Sequence, residues 1–339
     1  MNQLRRLRAA VVANENAILN ALKRDLSKAP YEAYMSEVGI VLSELRFALR
    51  HLRSWMRPER VRTPLSIFPA ASSIHPEPYG VVLVISPVNY PFALTINPLI
   101  GAIAAGNCCI LKVSELAPHA AAALAQMISE NFGAEYISVV SGDAAIGRAL
   151  LEERFDKIFF TGSATVGRKV LSAAAPNLTP VTLELGGKSP CIVYRDARLD
   201  DAARKIAGGK FLNAGQTCIA PDYLLVHRRV KDNLLNHLKD AIYRFYGNDP
   251  RQSDDYARII SQDHFDRLDR LMTGGRIIFG GDRDREALYI EPTIIDVDEV
   301  DGAAPIMQEE IFGPLLPVIP YVTPQEDIDF INTRQRPLA

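Results

Sequence analysis

The stretch GVVLVISPVNYPFALTINPLIGAIAAGNCCILKV, residues 80–113, decides the fold. Val81–Ser86 is a continuous apolar run of strand length, and Cys108–Val113 is a second. Between them, Pro91–Ala105 suits a helix that stops at Gly106, where a glycine tolerates the left-handed turn that ends helices. Strands without polar alternation are buried on both faces, and strand–helix–strand at this spacing is the unit of a parallel sheet. Asn97, Pro98, Gly101, Gly106 and Asn107 interrupt the apolar run too often for a membrane span.

The alternation continues outward. The spacing predicts helices over Ala117–Phe132, Asp143–Leu151 and Ala164–Ala175, with strands over Ile137–Val140 and Lys157–Phe160. Val181–Leu185 reads as a crossing strand. A second series follows, with strand Cys191–Tyr194, helix Leu199–Phe211, strand Asp222–Val226 and helix Lys231–Tyr246, and a strand–helix pattern recurs at 315–332. Upstream, Leu4, Leu7, Val11, Ile18, Leu22 and Leu26 recur at helical spacing within residues 1–57. The proline-rich 58–80 reads as an extended connecting arm or hairpin. The prediction is an α/β protein of two Rossmann-like open α/β domains. A nucleotide-binding domain spans 1–185, with the arm at about 58–79, and a catalytic domain spans 186–339.

A length of 339 residues suits two domains, and 48% hydrophobic with 23% charged residues is ordinary for a globular protein. Net charge is −2, and no run of like charge marks a nucleic-acid surface; Arg5, Arg6 and Arg8 are soon followed by Glu15 and Asp25. The four cysteines form no Cys-x-x-Cys pair and have no histidine cluster beside them, which argues against a zinc site. No signal-peptide pattern opens the chain, so a reducing cytoplasm is the expected compartment.

Several short stretches carry candidate chemistry. Phe159-Phe160-Thr161-Gly162-Ser163 closes a strand and opens a helix, with Gly167 one turn on. Helix N-termini of this kind offer free N–H groups to phosphates, although such junctions are common in any α/β protein. Lys112 and Glu115 stand at another strand tip, where ligands bind in open parallel sheets; they form either a ribose-binding pair or a surface ion pair. Cys108 and Cys109, in an apolar strand, read as core, and Cys191 is similar. Cys218 differs. It ends the polar, glycine-containing Asn213-Ala214-Gly215-Gln216-Thr217-Cys218, a setting in which a lowered thiol pKa makes a nucleophile; the alternative is a structural cysteine. Glu184, flanked by leucines before Gly186-Gly187-Lys188, reads as a buried carboxylate, either a general base or the partner of Lys188. Asn89, between Pro87 and Pro91, is either an oxyanion donor or a turn residue.

Taken together, Pro87–Pro91, Lys112–Glu115, Phe160–Ser163, Leu183–Lys188, Gly215–Cys218 and Gln308-Glu309-Glu310-Ile311-Phe312-Gly313-Pro314 resemble the aldehyde dehydrogenase superfamily in order and spacing. Cys218–Tyr223 and Pro180–Glu184 look like its class 3 or fatty-aldehyde branch. The resemblance implies NAD(P)⁺-dependent oxidation of an aldehyde to an acid, with medium- or long-chain aliphatic or aromatic aldehydes as substrates. Cys218 would form a thiohemiacetal and then a thioester, and Glu184 would activate the hydrolytic water. The Cys218 N–H and the Asn89 amide would hold the oxyanion. Lys112 and Glu115 would hold the adenosine ribose. Gly162, Ser163 and Gly167 would border the phosphates, and Glu310 and Phe312 would position the nicotinamide end. NAD⁺ is favoured because Glu115 would repel a 2′-phosphate, with NADP⁺ an option.

Two departures stand out. Val88 replaces the tryptophan usual before the asparagine. Family members also continue well past Ile331-Asn332-Thr333-Arg334, which implies a catalytic domain incomplete at its C-terminus. A homodimer is the expectation for the complete protein but does not extend to a chain ending here, and some class 3 relatives carry a C-terminal membrane anchor. Competing readings are a dinucleotide-binding fragment without turnover and a cysteine esterase.

Overall fold

The computed structural model describes residues 1–297 and 304–339. They form two compact units. One comprises Met1–Ala21, Tyr34–Thr161 and Arg168–Leu183; the other comprises Leu22–Ala33, Gly162–Gly167 and Glu184–Ala339.

The chain opens with helices α1 (Asn2–Ala13), α2 (Glu15–Leu26) and α3 (Pro30–Ala33), a π turn (Tyr34–Val38) and α4 (Gly39–Trp55). Leu4, Leu7 and Val11 of α1 are buried, as their spacing requires. The arm is a short antiparallel hairpin, β1 (Glu59–Val61) with β2 (Ser72–Ile74).

The alternating segment then builds a five-stranded sheet. Its elements are β3 (Val81–Ile85), α5 (Ala93–Ala105), β4 (Cys108–Lys112), α6 (Pro118–Asn131), β5 (Ile137–Val140), α7 (Ala144–Glu152), β6 (Lys157–Gly162), α8 (Ala164–Ala174) and β7 (Val181–Leu185). The order is β5-β4-β3-β6-β7, and β3 pairs in parallel with both β4 and β6. The expected parallel α/β architecture is borne out. Gly106 sits at φ +90° just past α5, in the left-handed conformation its position demanded. Val181–Leu185, read as a crossing strand, is the edge strand of this sheet, and the division between the two units falls within it.

The second series contains β8 (Pro190–Val193), α9 (Leu199–Phe211), β9 (Tyr223–His227), α10 (Lys231–Tyr246), α11 (Gln262–Leu271) and β10 (Arg276–Phe279). A two-strand ribbon, β11 (Arg283–Asp284) with β12 (Tyr289–Ile290), leads to β13 (Thr293–Asp296), β14 (Leu315–Tyr321) and α12 (Pro324–Asn332). The sheet order is β10-β13-β14-β9-β8; all pairings are parallel except that of β10 with β13. Leu224, Val226, Ile294, Ile295, Leu316 and Val318 are wholly buried in the core of this unit. Each such side chain contributes roughly 1.5–3 kcal/mol of burial energy.

Parallel pairing puts the carboxyl ends of β3, β4 and β6 along one sheet edge. The stretches following those strands are Ser86–Tyr90, Lys112–Glu115 and Gly162–Ser163, and ligands bind at such edges in open α/β sheets.

Candidate active site

In the first unit, Asn89 lies in the turn between β3 and α5 and is 2% exposed. The turn is pinned from two sides. Thr95 Oγ1 donates to Pro91 O at 2.6 Å and accepts from the Ser86 hydroxyl at 2.7 Å. Glu37 Oε2, carried on the π turn, accepts from the N–H groups of Phe92 (3.0 Å) and Ala93 (2.8 Å) at the start of α5, where the helix leaves N–H groups without intrahelical partners. A buried amide on so fixed a turn keeps one orientation.

Lys112, at the tip of β4, is buried, and its ammonium is engaged. It donates to Val113 O (2.9 Å), Gly142 O (2.6 Å) and Glu115 Oε2 (3.1 Å). The structure therefore brings Lys112 and Glu115 together as an ion pair whose Glu115 side chain is 41% exposed. At the tip of β6, Ser163 is exposed, accepts from the Val166 N–H (3.3 Å) and leads into α8, with Gly167 buried. The preceding Thr161 Oγ1 is buried without a hydrogen-bond partner.

Cys218 lies in the second unit, in a turn closed by the Ala220 N–H to Thr217 O bond (3.0 Å). Its approach is rigid. Asn213 and Ala214 adopt φ of 52° and 50°, and the Asn213 N–H is taken by Glu32 Oε1 at 2.9 Å. Gln216, wholly buried, spends its amide on Asn213 O and Arg258 O (both 3.0 Å) and accepts from the Ile260 N–H (2.9 Å). Gly215 lies against the backbone of Gly313, so that any Cβ there would collide with the Gly313 carbonyl.

The thiol does not have the lowered pKa expected of it. Burial pushes it up, and the carboxylates of Glu310 and then Glu184 add to the rise. The N–H groups of Cys218 and Ile219 oppose this by hydrogen-bonding to sulfur. Cys109 and Cys191 are pushed further by burial, to about 12 and about 11.

Glu184 also departs from expectation. It is exposed, not buried, because the end of β7 turns its side chain away from the flanking leucines. Lys188 is not its partner: Lys188 pairs with Asp222 across 34 residues of sequence, with side chains 9% and 4% exposed. Lys188 also donates to Ile306 O (2.9 Å) and Glu309 O (3.0 Å), and Asp222 Oδ1 accepts from the Ile311 N–H (2.7 Å). This pair holds the 306–311 segment that presents Glu310.

The Glu310 carboxylate rests on Gly186 and accepts from the Gly187 N–H. Burial, with Asp222 adding to it, raises its pKa to about 7 against that N–H and the cations Arg267 and Lys188. Phe312 follows at φ +49°, a left-handed backbone that costs a bulky residue roughly 1–2 kcal/mol and persists only when its surroundings impose it. His264 Nε2 bonds Phe312 O (2.8 Å), which occupies this histidine elsewhere than at the thiol.

Sequence reading missed Asp222, Lys210, His264 and Arg267. Lys210 is 1% exposed, and burial lowers its pKa to about 8. It continues the spacing of buried Ala203, Ile206 and Ala207 on α9, so a lysine on an apolar helix face was the available signal. Among the described residues no cluster of His, Cys, Asp or Glu could hold a metal ion, and no helix is long and apolar enough to cross a membrane.

The chain is similar to known proteins over its whole length. A profile described as the Aldehyde dehydrogenase family matches residues 1–339. The 4,4'-diaponeurosporen-aldehyde dehydrogenase of Staphylococcus aureus is 48% identical, covering 99% of this chain and 73% of that protein. Aldehyde dehydrogenase family 3 member A2 of Pongo abelii is 44% identical, covering 100% of this chain and 70% of that protein. The solved substrate-bound state of Staphylococcus aureus AldH superposes with a TM-score of 0.96 at 48% identity, covering 99% of this chain and 74% of that one.

Proposed function

The chain belongs to the aldehyde dehydrogenase family, whose members oxidise aldehydes with NAD(P)⁺, and from that premise we propose that Cys218 is its nucleophile and Glu184 its general base. The observation that carries this reading is the Cys218 turn: a half-buried sulfur that faces two backbone N–H groups and feels two carboxylates, Glu310 and Glu184.

The chemistry follows from those groups. The sulfur adds to the aldehyde carbon, and the thiol proton passes to Glu184. Because Glu184 is exposed, it can release that proton to solvent and act again. The carbonyl oxygen gains charge as the thiohemiacetal forms. The Cys218 N–H and the Asn89 amide would stabilise it, and such donors are worth about 3–4 kcal/mol each in comparable sites. NAD(P)⁺, when bound, supplies the acceptor for the hydride that leaves the former aldehyde carbon. Glu184 then takes a proton from water, which attacks the thioester and frees the acid and the thiol.

The residues present fit the cofactor. The exposed start of α8 after Ser163, beside the unpartnered Thr161 hydroxyl, suits an anionic phosphate. Lys112 with Glu115 would take the adenosine ribose, with Glu115 favouring NAD⁺ over a 2′-phosphorylated cofactor. Glu310 and Phe312 would face the nicotinamide end. We read the first unit as chiefly cofactor-binding and the second as catalytic, and the substrates as medium- or long-chain aliphatic or aromatic aldehydes.

The test is NAD(P)H formation with hexanal and benzaldehyde by the parent chain and by Cys218→Ala and Glu184→Gln. The parent forms the reduced cofactor and Cys218→Ala does not. Glu184→Gln gives at most one equivalent before stalling at the thioester. Full turnover by Cys218→Ala would remove the nucleophile assignment, and full turnover by Glu184→Gln would remove the base.

A further inference from the structure

The turn 309–313 is held on a second side by α11. This helix starts at Ser261, whose Oγ accepts from the His264 N–H (3.2 Å), and it buries Phe265, Leu268 and Leu271. Two other residues on it, His264 and Arg267, reach the turn instead of the core.

Arg267 Nη1 donates to Glu310 O (3.1 Å) and to Glu309 Oε1 (3.2 Å), and Nη2 donates to Ile311 O (2.5 Å). Nη2 also lies 3.4 Å from His264 Nδ1. A guanidinium only donates, so Nδ1 accepts and the proton sits on Nε2, which donates to Phe312 O at 2.8 Å. Burial, reinforced by the Arg267 charge, lowers the His264 pKa to about 4, which keeps the ring neutral in this single tautomer. Two side chains thus occupy three successive carbonyls, those of Glu310, Ile311 and Phe312.

The turn has little slack. Gly313 is packed so closely against Leu268 of the same helix that a Cβ would collide with it. Phe312 is held in the left-handed region, which a phenylalanine leaves if its carbonyl is released. The helix is in turn tied to the nucleophile turn, because Gln216 holds Arg258 and Ile260 just before Ser261.

We propose that His264 and Arg267 form a positioning pair that fixes the aim of the Glu310 and Phe312 side chains and thereby sets cofactor affinity and turnover, without touching substrate or cofactor. This rests on the reading that Glu310 and Phe312 face the cofactor. The planar fork of Arg267 and the neutral donor–acceptor ring of His264 are both required. Lysine would keep the charge but lose the fork, whereas glutamine at 264 could still donate and accept.

The experiment uses the full chain and four readouts: equilibrium NAD⁺ binding, kcat, KM for hexanal, and alkylation of Cys218 by iodoacetamide without cofactor. His264→Leu and Arg267→Gln are expected to weaken NAD⁺ binding and lower kcat by about tenfold, the equivalent of losing one to two hydrogen bonds. KM for hexanal stays within about twofold, the alkylation rate does not fall, and His264→Gln returns NAD⁺ binding to within about threefold of the parent. Parental NAD⁺ binding by His264→Leu and Arg267→Gln, with weakened binding by Phe312→Ala, overturns the positioning role and spares the cofactor reading. Parental binding by Phe312→Ala and Glu310→Gln overturns the cofactor reading itself. Alkylation that falls in step with NAD⁺ binding reduces the pair to general scaffolding and overturns the proposal.

Discussion

Replacing Lys188 by methionine removes a buried cation whose every proton is used. The ammonium serves Asp222, Ile306 O and Glu309 O, and Asp222 in turn holds the Ile311 N–H. Methionine fills similar volume, so the loss is electrostatic and not a cavity. It leaves the Asp222 carboxylate, 4% exposed, without its counter-charge, and breaking such a buried pair costs about 3–5 kcal/mol. Asp222→Asn is milder, because its amide oxygen can still accept from Ile311, but it leaves the ammonium uncompensated. The double variant Lys188→Met/Asp222→Asn removes both charges and is expected to cost less than the sum of the singles, by about 2 kcal/mol or more of coupling. Urea unfolding followed by far-ultraviolet circular dichroism measures all three. Tryptophan emission is the poorer probe, since Trp55 lies in α4 of the first unit. A Lys188→Met loss below about 1 kcal/mol, or strictly additive singles, would refute the claim that this pair holds the Glu310 turn.

Gly215→Ala should force the Cys218 approach off the Gly313 carbonyl and cut aldehyde oxidation by about a hundredfold, as a displacement near 1 Å does, so near-parental kcat would contradict the geometry. Glu310→Gln should move the pH profile of iodoacetamide alkylation of Cys218 to lower pH, because it deletes a carboxylate that raises the thiol; an unmoved profile argues against that electrostatic coupling. His264 titrates near 4 in the fold against an ordinary 6.5, so the native chain binds fewer protons than the unfolded chain between those values. This residue's stabilising share is therefore present above pH 6.5 and is lost as pH falls through 4, and His264→Gln should flatten the corresponding rise in urea midpoint. Asp327, pushed up to about 6 chiefly by burial, acts with the opposite sign: the native chain binds more protons between 3.8 and 6, so stability declines as pH rises across that window. Asp327→Asn should remove the decline, and a midpoint that still falls would place its cause elsewhere.

The fold was readable wherever burial is two-sided and regular. The apolar runs at Val81–Ile85 and Cys108–Lys112 could only be interior strands, and α9 and α10 begin and end where their patterns do. Reading failed where neighbours in space are remote in sequence. Nothing near Lys188 points to Asp222, and nothing near Glu184 reveals that the end of β7 exposes it. The antiparallel edge β10 and the helix α11 went unassigned, although Ser261 ahead of Phe265, Leu268 and Leu271 was a visible cap and apolar stripe. The candidate Cys218 stood out by type and local company, after Gly215, whereas Glu310 and Phe312 were marked only by the family resemblance. The expected direction of the Cys218 shift was wrong because it depends on burial, and then on carboxylates, brought about by tertiary structure.

The strand order β10-β13-β14-β9-β8 has a consequence for synthesis on the ribosome. The strand that separates β13 from β9 is β14, which ends at Tyr321, whereas β8 and β9 are complete by His227. Until Leu315–Tyr321 emerges, β9 has an open edge and the Cys218 turn has no Gly313 backbone behind it. The nascent chain therefore carries Cys218 through a long interval on a half-built sheet. That interval, when unpaired strand edges invite wrong partners, is when chaperone protection or slowed elongation would matter most.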